Sequence, residues 1–159
     1  PNLDFQTEYS QVRPYTYSHY DPITSYAHLY QELAHPLGAN FRESITFLRY
    51  RINRWHFELK NQYAMKGLDP AGETTYGGNI HVSNNNRPGA YGHTIGQGLN
   101  SHLLQTEVNF SYLINPRNNM NIKLGFRHRE MTNDQVTEKG NYIYAAFRTS
   151  IRNFYYDYF

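Results

Sequence analysis

The chain has 159 residues, no cysteine and a formal net charge of +2, which suits about one domain and excludes both a disulfide framework and the positive field that nucleic-acid binding needs. Its 16 Tyr, 9 Phe and single Trp accompany little leucine and a mean hydropathy of −0.78, a balance suited less to an aliphatic core than to surfaces that are greasy and wet at once. No run of about eighteen apolar residues occurs, which excludes a membrane-spanning helix, and the opening PNLDFQ lacks the basic residues and apolar core of a signal peptide, so the chain is expected to begin within a longer protein.

In chain order, period-two patterning predicts strands over residues 2–13, 41–52, 55–66, 103–114, 120–132 and 141–151. The third, WHFELKNQYAMK, shows the pattern best. Trp55, Phe57, Leu59, Tyr63 and Met65 share one parity, while His56, Glu58, Lys60, Gln62 and Lys66 share the other, and side chains of opposite parity leave a strand on opposite faces. The connections alternate in length: 14–40 is long, 53–54 very short, 67–102 long and glycine-rich, 115–119 short and 133–140 medium. Within the first long connection AHLYQEL is expected to form one short helix stopped by Pro36. In the second, Gly89, Gly92, Gly96 and Gly98 are expected to fold the loop back on itself or into an interior.

The two short turns fix registers. A two-residue loop at Asn53 and Arg54 sets Ile52 opposite Trp55, Tyr50 opposite Phe57 and Leu48 opposite Leu59, with Arg49 meeting Glu58 on the other face. The loop NPRNN sets Ile114 opposite Met120, Tyr112 opposite Ile122, Phe110 opposite Leu124 and Val108 opposite Phe126, with Glu107 against Arg127. A slip of one residue in either hairpin mixes charge into the oily face.

Strands of about ten residues, oily on one side and polar on the other, with short turns at one end and long loops at the other, are the pattern of an outer-membrane β-barrel. The expected fold is therefore all-β, an antiparallel up-and-down transmembrane barrel with long extracellular loops. The oily face meets outer-membrane lipid, Trp55 and the tyrosines sit near the interfaces, and Glu8, Arg49, Glu58, Lys60, Glu107, Lys123 and Arg127 line the interior. An Arg or Lys facing lipid at the midplane would cost about 2 to 4 kcal/mol. With short turns in the periplasm the last strand runs inward and the chain ends on RNFYYDYF, resembling the aromatic terminus that bacterial barrels present for insertion, although Asp157 replaces an aromatic. Six strands are too few to close, since about eight is the minimum, so residues 1–159 are read as the C-terminal portion of one larger barrel. A soluble β-sandwich is the alternative, with shorter strands and less polarised loops.

The run AHPLGANFRE at residues 34–43, the hairpin around RYRINRW and the tail FRTSIRNFYYDYF resemble the C-terminal region of outer-membrane barrels of the capsule assembly protein Wzi family, and are similar also to gliding-motility surface barrels. The resemblance implies a non-enzymatic cell-surface barrel that binds capsular polysaccharide and helps assemble the capsule. A structural or partner-docking barrel of a secretion or gliding apparatus, engaging surface proteins, and a porin-like channel are the alternatives.

Sugars are held by flat aromatic rings and by planar amide, carboxylate or guanidinium groups. The loops and the strand end beside them supply Tyr26, Tyr30, Gln31, Glu32, Asn40, Arg42, Asn85, Arg87 and Tyr91 as glycan-binding candidates. His19, His28 and His35 share one loop, and His81, His93 and His102 fall in the other long connection, but at spacings without a metal-ligand pattern. They are expected to hydrogen-bond neighbours or to carry charge near lipopolysaccharide phosphates. YGHTIGQGLN lacks the lysine of a phosphate-binding loop. Ser18 with His19 and Ser101 with His102 offer only adjacency in sequence, and strand neighbours point apart, so neither catalysis nor a cofactor is expected.

Overall fold

The computed structural model describes residues 2–72 and 74–150; the aromatic terminus and the last residue of the sixth predicted strand lie outside them. Among the described residues eight strands occur in chain order: β1 (Asn2–Val12), β2 (Ala27–His28), β3 (Gln31–Glu32), β4 (Phe41–Ile52), β5 (Trp55–Leu68), β6 (Leu99–Asn115), β7 (Met120–Asn133) and β8 (Thr137–Arg148). Six of them form one antiparallel sheet in the order β1-β4-β5-β6-β7-β8, a meander from which only the small β2-β3 hairpin departs. β1 pairs with β4 alone and β8 with β7 alone, so this sheet is open rather than closed into a barrel.

The first hairpin has the predicted register throughout, from Ile52 opposite Trp55 to Arg49 opposite Glu58. Asn53 takes the left-handed conformation that the tight turn requires, at φ 52°. The second agrees from Tyr112 opposite Ile122 to Glu107 opposite Arg127, but Ile114 does not pair with Met120. The Asn115 side chain accepts a hydrogen bond from the Arg117 amide at 3.0 Å and opens a 3-10 turn over Pro116–Asn118. Asn115 thereby takes the place opposite Met120, and a bulge at Ile114 absorbs the extra residue.

Two other expectations are corrected. The medium connection 133–140 is a tight turn: Asn133 Oδ1 accepts from the Gln135 and Val136 amides at 2.9 and 2.8 Å, so β8 begins at Thr137 and its first residues extend the ladder with β7. AHLYQEL is not a helix. Seven residues cannot readily nucleate one, and instead Leu29 and Tyr30, both left-handed at φ 48° and 60°, turn β2 back onto β3.

One face of the sheet is built in rows. Nearest the short turns lie Ile52, Trp55, Tyr112, Ile122 and Phe147; next come Leu3, Tyr50, Phe57, Phe110, Leu124 and Ala145; then Phe5, Leu48, Leu59, Val108, Phe126 and Ile143. The Trp55 ring stacks on Phe110 at 4.8 Å. These rows are uncovered, with Phe5 65% and Ile143 85% exposed. The expected oily stripe then stops short, because the following row is polar on every strand: Thr7, Thr46, Asn61, Thr106, His128 and Asn141. Formal charge first enters one row further on, where Lys139 and Glu130 pair at 2.9 Å.

The opposite face carries every one of the predicted interior residues. Arg49 bonds Asp4 at 2.9 Å and Glu58 at 3.0 Å, while Arg127 bonds Glu107 at 2.8 Å. Glu107 also accepts from Asn109 and from the Tyr144 hydroxyl, at 3.0 and 2.8 Å. Gly125 leaves room for this: a Cβ there would overlap the Tyr144 ring.

At the loop end the same face becomes the packed core. Phe41, Ala39, Ile80 and Ala64 are buried there together with Asn40 and Glu43, beneath the two long loops.

Candidate functional site

The loops above this core are tied together mainly by side chains bonding to backbone, because irregular chain leaves amides and carbonyls without ladder partners. Asn40 is the centre. Its Nδ2 donates to the carbonyls of Gly67, Tyr76 and Gln97 at 3.1, 3.3 and 2.9 Å, and its Oδ1 accepts from the Gly96 amide at 2.7 Å. The residue is fully buried and left-handed, at φ 59°. Gly67 permits the approach, since a Cβ there would overlap Asn40 Nδ2 and the Gln97 carbonyl. Tyr15 donates to the Thr75 carbonyl at 2.6 Å and Ser83 to that of Tyr20 at 2.6 Å, joining the first loop to the second. Burial raises the Tyr15 phenol above its usual value, with nearby Asp69 adding to the rise.

Between the loops opens a cleft of about 520 Å³, walled by Tyr30 and Glu32 of the β2-β3 hairpin, by Lys66 and Asp69 at the end of β5, and by Asn79 and His81 of the second loop. Tyr30 and His81 also border a neighbouring hollow of about 340 Å³ with Pro22, Ile23 and Leu29. The Tyr30 and His81 rings lie 5.5 Å apart, tilted by 36°, and His81 Nε2 stands 3.7 Å from Glu32 Oε1. Tyr30 is 89% exposed, offering a flat apolar face beside a carboxylate, an ammonium and an amide. Asp69 is otherwise engaged, accepting from Thr75 Oγ1 at 3.0 Å and from the Tyr76 amide at 2.6 Å. Such a wall can hold a ring by its face and hydroxyls by their edges.

Of the glycan candidates, Tyr30 and Glu32 meet in this cleft, and Gln31 lies in the same hairpin. Tyr26 leads into that hairpin and packs on Tyr17 at 5.8 Å. Asn85, Arg87 and Tyr91 are exposed on the second loop and do not line the cleft. Asn40 is buried and its amide fully used, so it shapes the loops and has no surface to offer a sugar. Arg42 shares the face of the apolar rows with Met65, opposite the loop core. Lys66, Asn79 and His81 were missed: Lys66 had the right parity on a strand end, but nothing in the sequence brings residues 30 and 81 together.

The histidines mostly serve neighbours. His35 Nε2 lies 3.0 Å from Glu43, its Nδ1 accepts from the Leu37 amide at 3.2 Å, and its ring stacks on Phe41 at 4.4 Å. His93 sits edge-on to Tyr15 at 4.7 Å. Ser101 is buried on the polar face while His102 bonds the Tyr63 hydroxyl on the other, at 2.9 Å. Ser18 is likewise buried and His19 exposed. Of the predicted glycines, Gly96 and Gly98 press against Met65 and Tyr76, whereas Gly92 stands in open space. Comparison with family models, with curated proteins and with solved structures finds no match to this chain.

Proposed function

We propose that these strands are part of a bacterial outer-membrane β-barrel whose oily face meets lipid and whose loops hold a surface polysaccharide without catalysis. The observation that carries the proposal is the belt: three successive apolar rows run across the sheet with nothing packed on them, while Arg49 with Asp4 and Glu58, and Arg127 with Glu107, pair on the opposite face. A soluble sandwich buries such a face in its core. The likeness of residues 34–43 to capsule-assembly barrels points to capsular polysaccharide, and the ring, carboxylate and ammonium of the Tyr30 cleft suit a sugar. Cell fractionation with a heat-modifiability gel tests the membrane half: outer-membrane recovery and a shift on boiling are expected, and a soluble, unshifted protein would overturn it. Retention on immobilised capsular polymer, reduced by Tyr30→Ala, tests the glycan half.

A partner-docking role is the second reading, favoured by the apolar tips Ile23 and Leu29, which are 90% and 83% exposed beside Tyr30. A stoichiometric protein partner recovered without polysaccharide affinity would select it.

A further inference from the structure

The polar row that ends the oily stripe has a property its composition alone does not show. All six of its side chains bond within the row, two by two across neighbouring strands. Thr7 Oγ1 meets Thr46 Oγ1 at 3.3 Å, Asn61 Nδ2 donates to Thr106 Oγ1 at 2.9 Å, and His128 Nδ1 meets Asn141 Oδ1 at 2.7 Å. These residues are half-buried or exposed, so in a soluble protein water would serve each of them singly. In the two rows beyond, toward the loops, Ser44, Arg42, Thr132 and Thr137 bond to no other side chain among the described residues. Complete pairing is what a polar row needs where water is absent, because an unbonded amide or hydroxyl is costly in hydrocarbon.

Strand geometry gives an independent measure. The three apolar rows run from Trp55 to Leu59 on β5, about 13 Å along the strand and about 10 Å of height at a barrel tilt of about 40°. The apolar band of an outer-membrane barrel is about 25 Å tall, so three rows fall far short of it. One row beyond the polar one stand Tyr9 and Tyr63, and there Lys139 and Glu130 pair at 2.9 Å. Trp55 to Tyr63 covers about 27 Å along the strand and about 20 Å of height at the same tilt. Aromatic rings then stand at both limits, Trp55 and Tyr112 at one and Tyr9 and Tyr63 at the other, as membrane barrels place them.

We propose that acyl chains cover the polar row as well as the three apolar ones, and that the lipid boundary lies at the row of Tyr9 and Tyr63. This rests on the lipid half of the reading above and adds where the hydrocarbon stops. Inside it the three pairs serve one another in place of water, and formal charge begins only at the boundary, where Lys139 and Glu130 meet. A protein docked on this face would offer groups to bond. A row already bonded to itself fits a covering that offers none.

The chain has no cysteine, so single thiols report position without background. Leu48→Cys, Thr46→Cys and Arg42→Cys, on one face of β4, each carry a bimane label in the purified protein reconstituted into phosphatidylcholine vesicles. Brominated acyl chains should quench the labels at 48 and 46 alike, and aqueous iodide only the label at 42. Bromine quenching at 48 with 46 open to iodide would overturn the proposal and leave the lipid reading standing; iodide quenching at 48 as well would overturn both. The unaltered protein gives a second measurement that needs no variant to fold. His128 and His102 lie on the same face, and each commits Nδ1, to Asn141 and to the Tyr63 hydroxyl. In vesicles diethyl pyrocarbonate should modify His128 several-fold more slowly than His102, a difference lost in urea; equal rates in vesicles would refute the boundary. Thr106→Val strips Asn61 of its partner and should lower the urea midpoint of the reconstituted protein, while Asn61→Leu/Thr106→Val should restore it. An unmoved midpoint in the single variant would mean that water serves Asn61, and the proposal would fail.

Discussion

In the short-turn half of the polar face side chains bind one another, whereas at the loop end they bind mainly backbone. Arg49, Glu58, Glu107 and Arg127 sit on strands paired on both sides, whose amides and carbonyls are already satisfied, with Asp4 on the edge strand beside them, so complementary side chains meet simply because their strands are in register. The loops have no ladder. There Asn40, Tyr15, Ser83 and Asp69 do the satisfying, and a buried amide or carbonyl left alone would cost free energy comparable to a lost hydrogen bond. Charge pairs therefore adjust a structure that the sheet already specifies, while Asn40 specifies one that would not otherwise exist.

The largest expected effect breaks the loop end. Asn40→Asp turns a donor toward the carbonyls of Gly67, Tyr76 and Gln97 into an acceptor, at a cost of about 3 kcal/mol or more. Limited proteolysis should then cut residues 13–40 and 69–98 while the six-strand sheet resists. Gly67→Ala attacks the same contact sterically and should cost about 1 to 3 kcal/mol, with the same cleavage pattern more weakly developed. Cleavage within the sheet instead would show that the two ends do not fold as separately as their bonding suggests.

Glu107→Ala probes the other end. It leaves Arg127, Asn109 and Tyr144 without their shared acceptor and should cost about 1 to 3 kcal/mol, read as a lower denaturation midpoint with loop proteolysis unchanged. The smallest effect comes from Tyr15. Its folded value lies above the ordinary phenol value of 10.0, so its contribution is fully present below that pH and is lost as pH rises through the folded value. Loop protection should hold up to about pH 10 and decline above it, and Tyr15→Phe should flatten that decline.

Much of the sheet was legible because period two and turn length together over-determine a hairpin: one slip flips every side chain. That logic placed Arg49 against Glu58 and Glu107 against Arg127. It failed where a side chain rewrites the turn, as Asn115 does by capping and Asn133 by folding onto its own following amides. The polar row was hidden for a different reason. A single Asn61 inside WHFELKNQYAMK looks like one lapse in a stripe, and only the register of every strand turns it into a line with Thr7, Thr46, Thr106, His128 and Asn141. The cleft was the least legible feature, since residues 30, 66 and 81 meet through loop packing that leaves no periodicity.

That polar line also sets a height. If lipid covers the uncharged rows, β4 continues from Thr46 to Phe41 beyond them, and β5 from Asn61 to Leu68, a rise of roughly 17 to 23 Å along the strands. The Tyr30 cleft would then stand on a hydrogen-bonded pedestal rather than rest at the membrane surface, clear of the headgroups at a distance fixed by strand length.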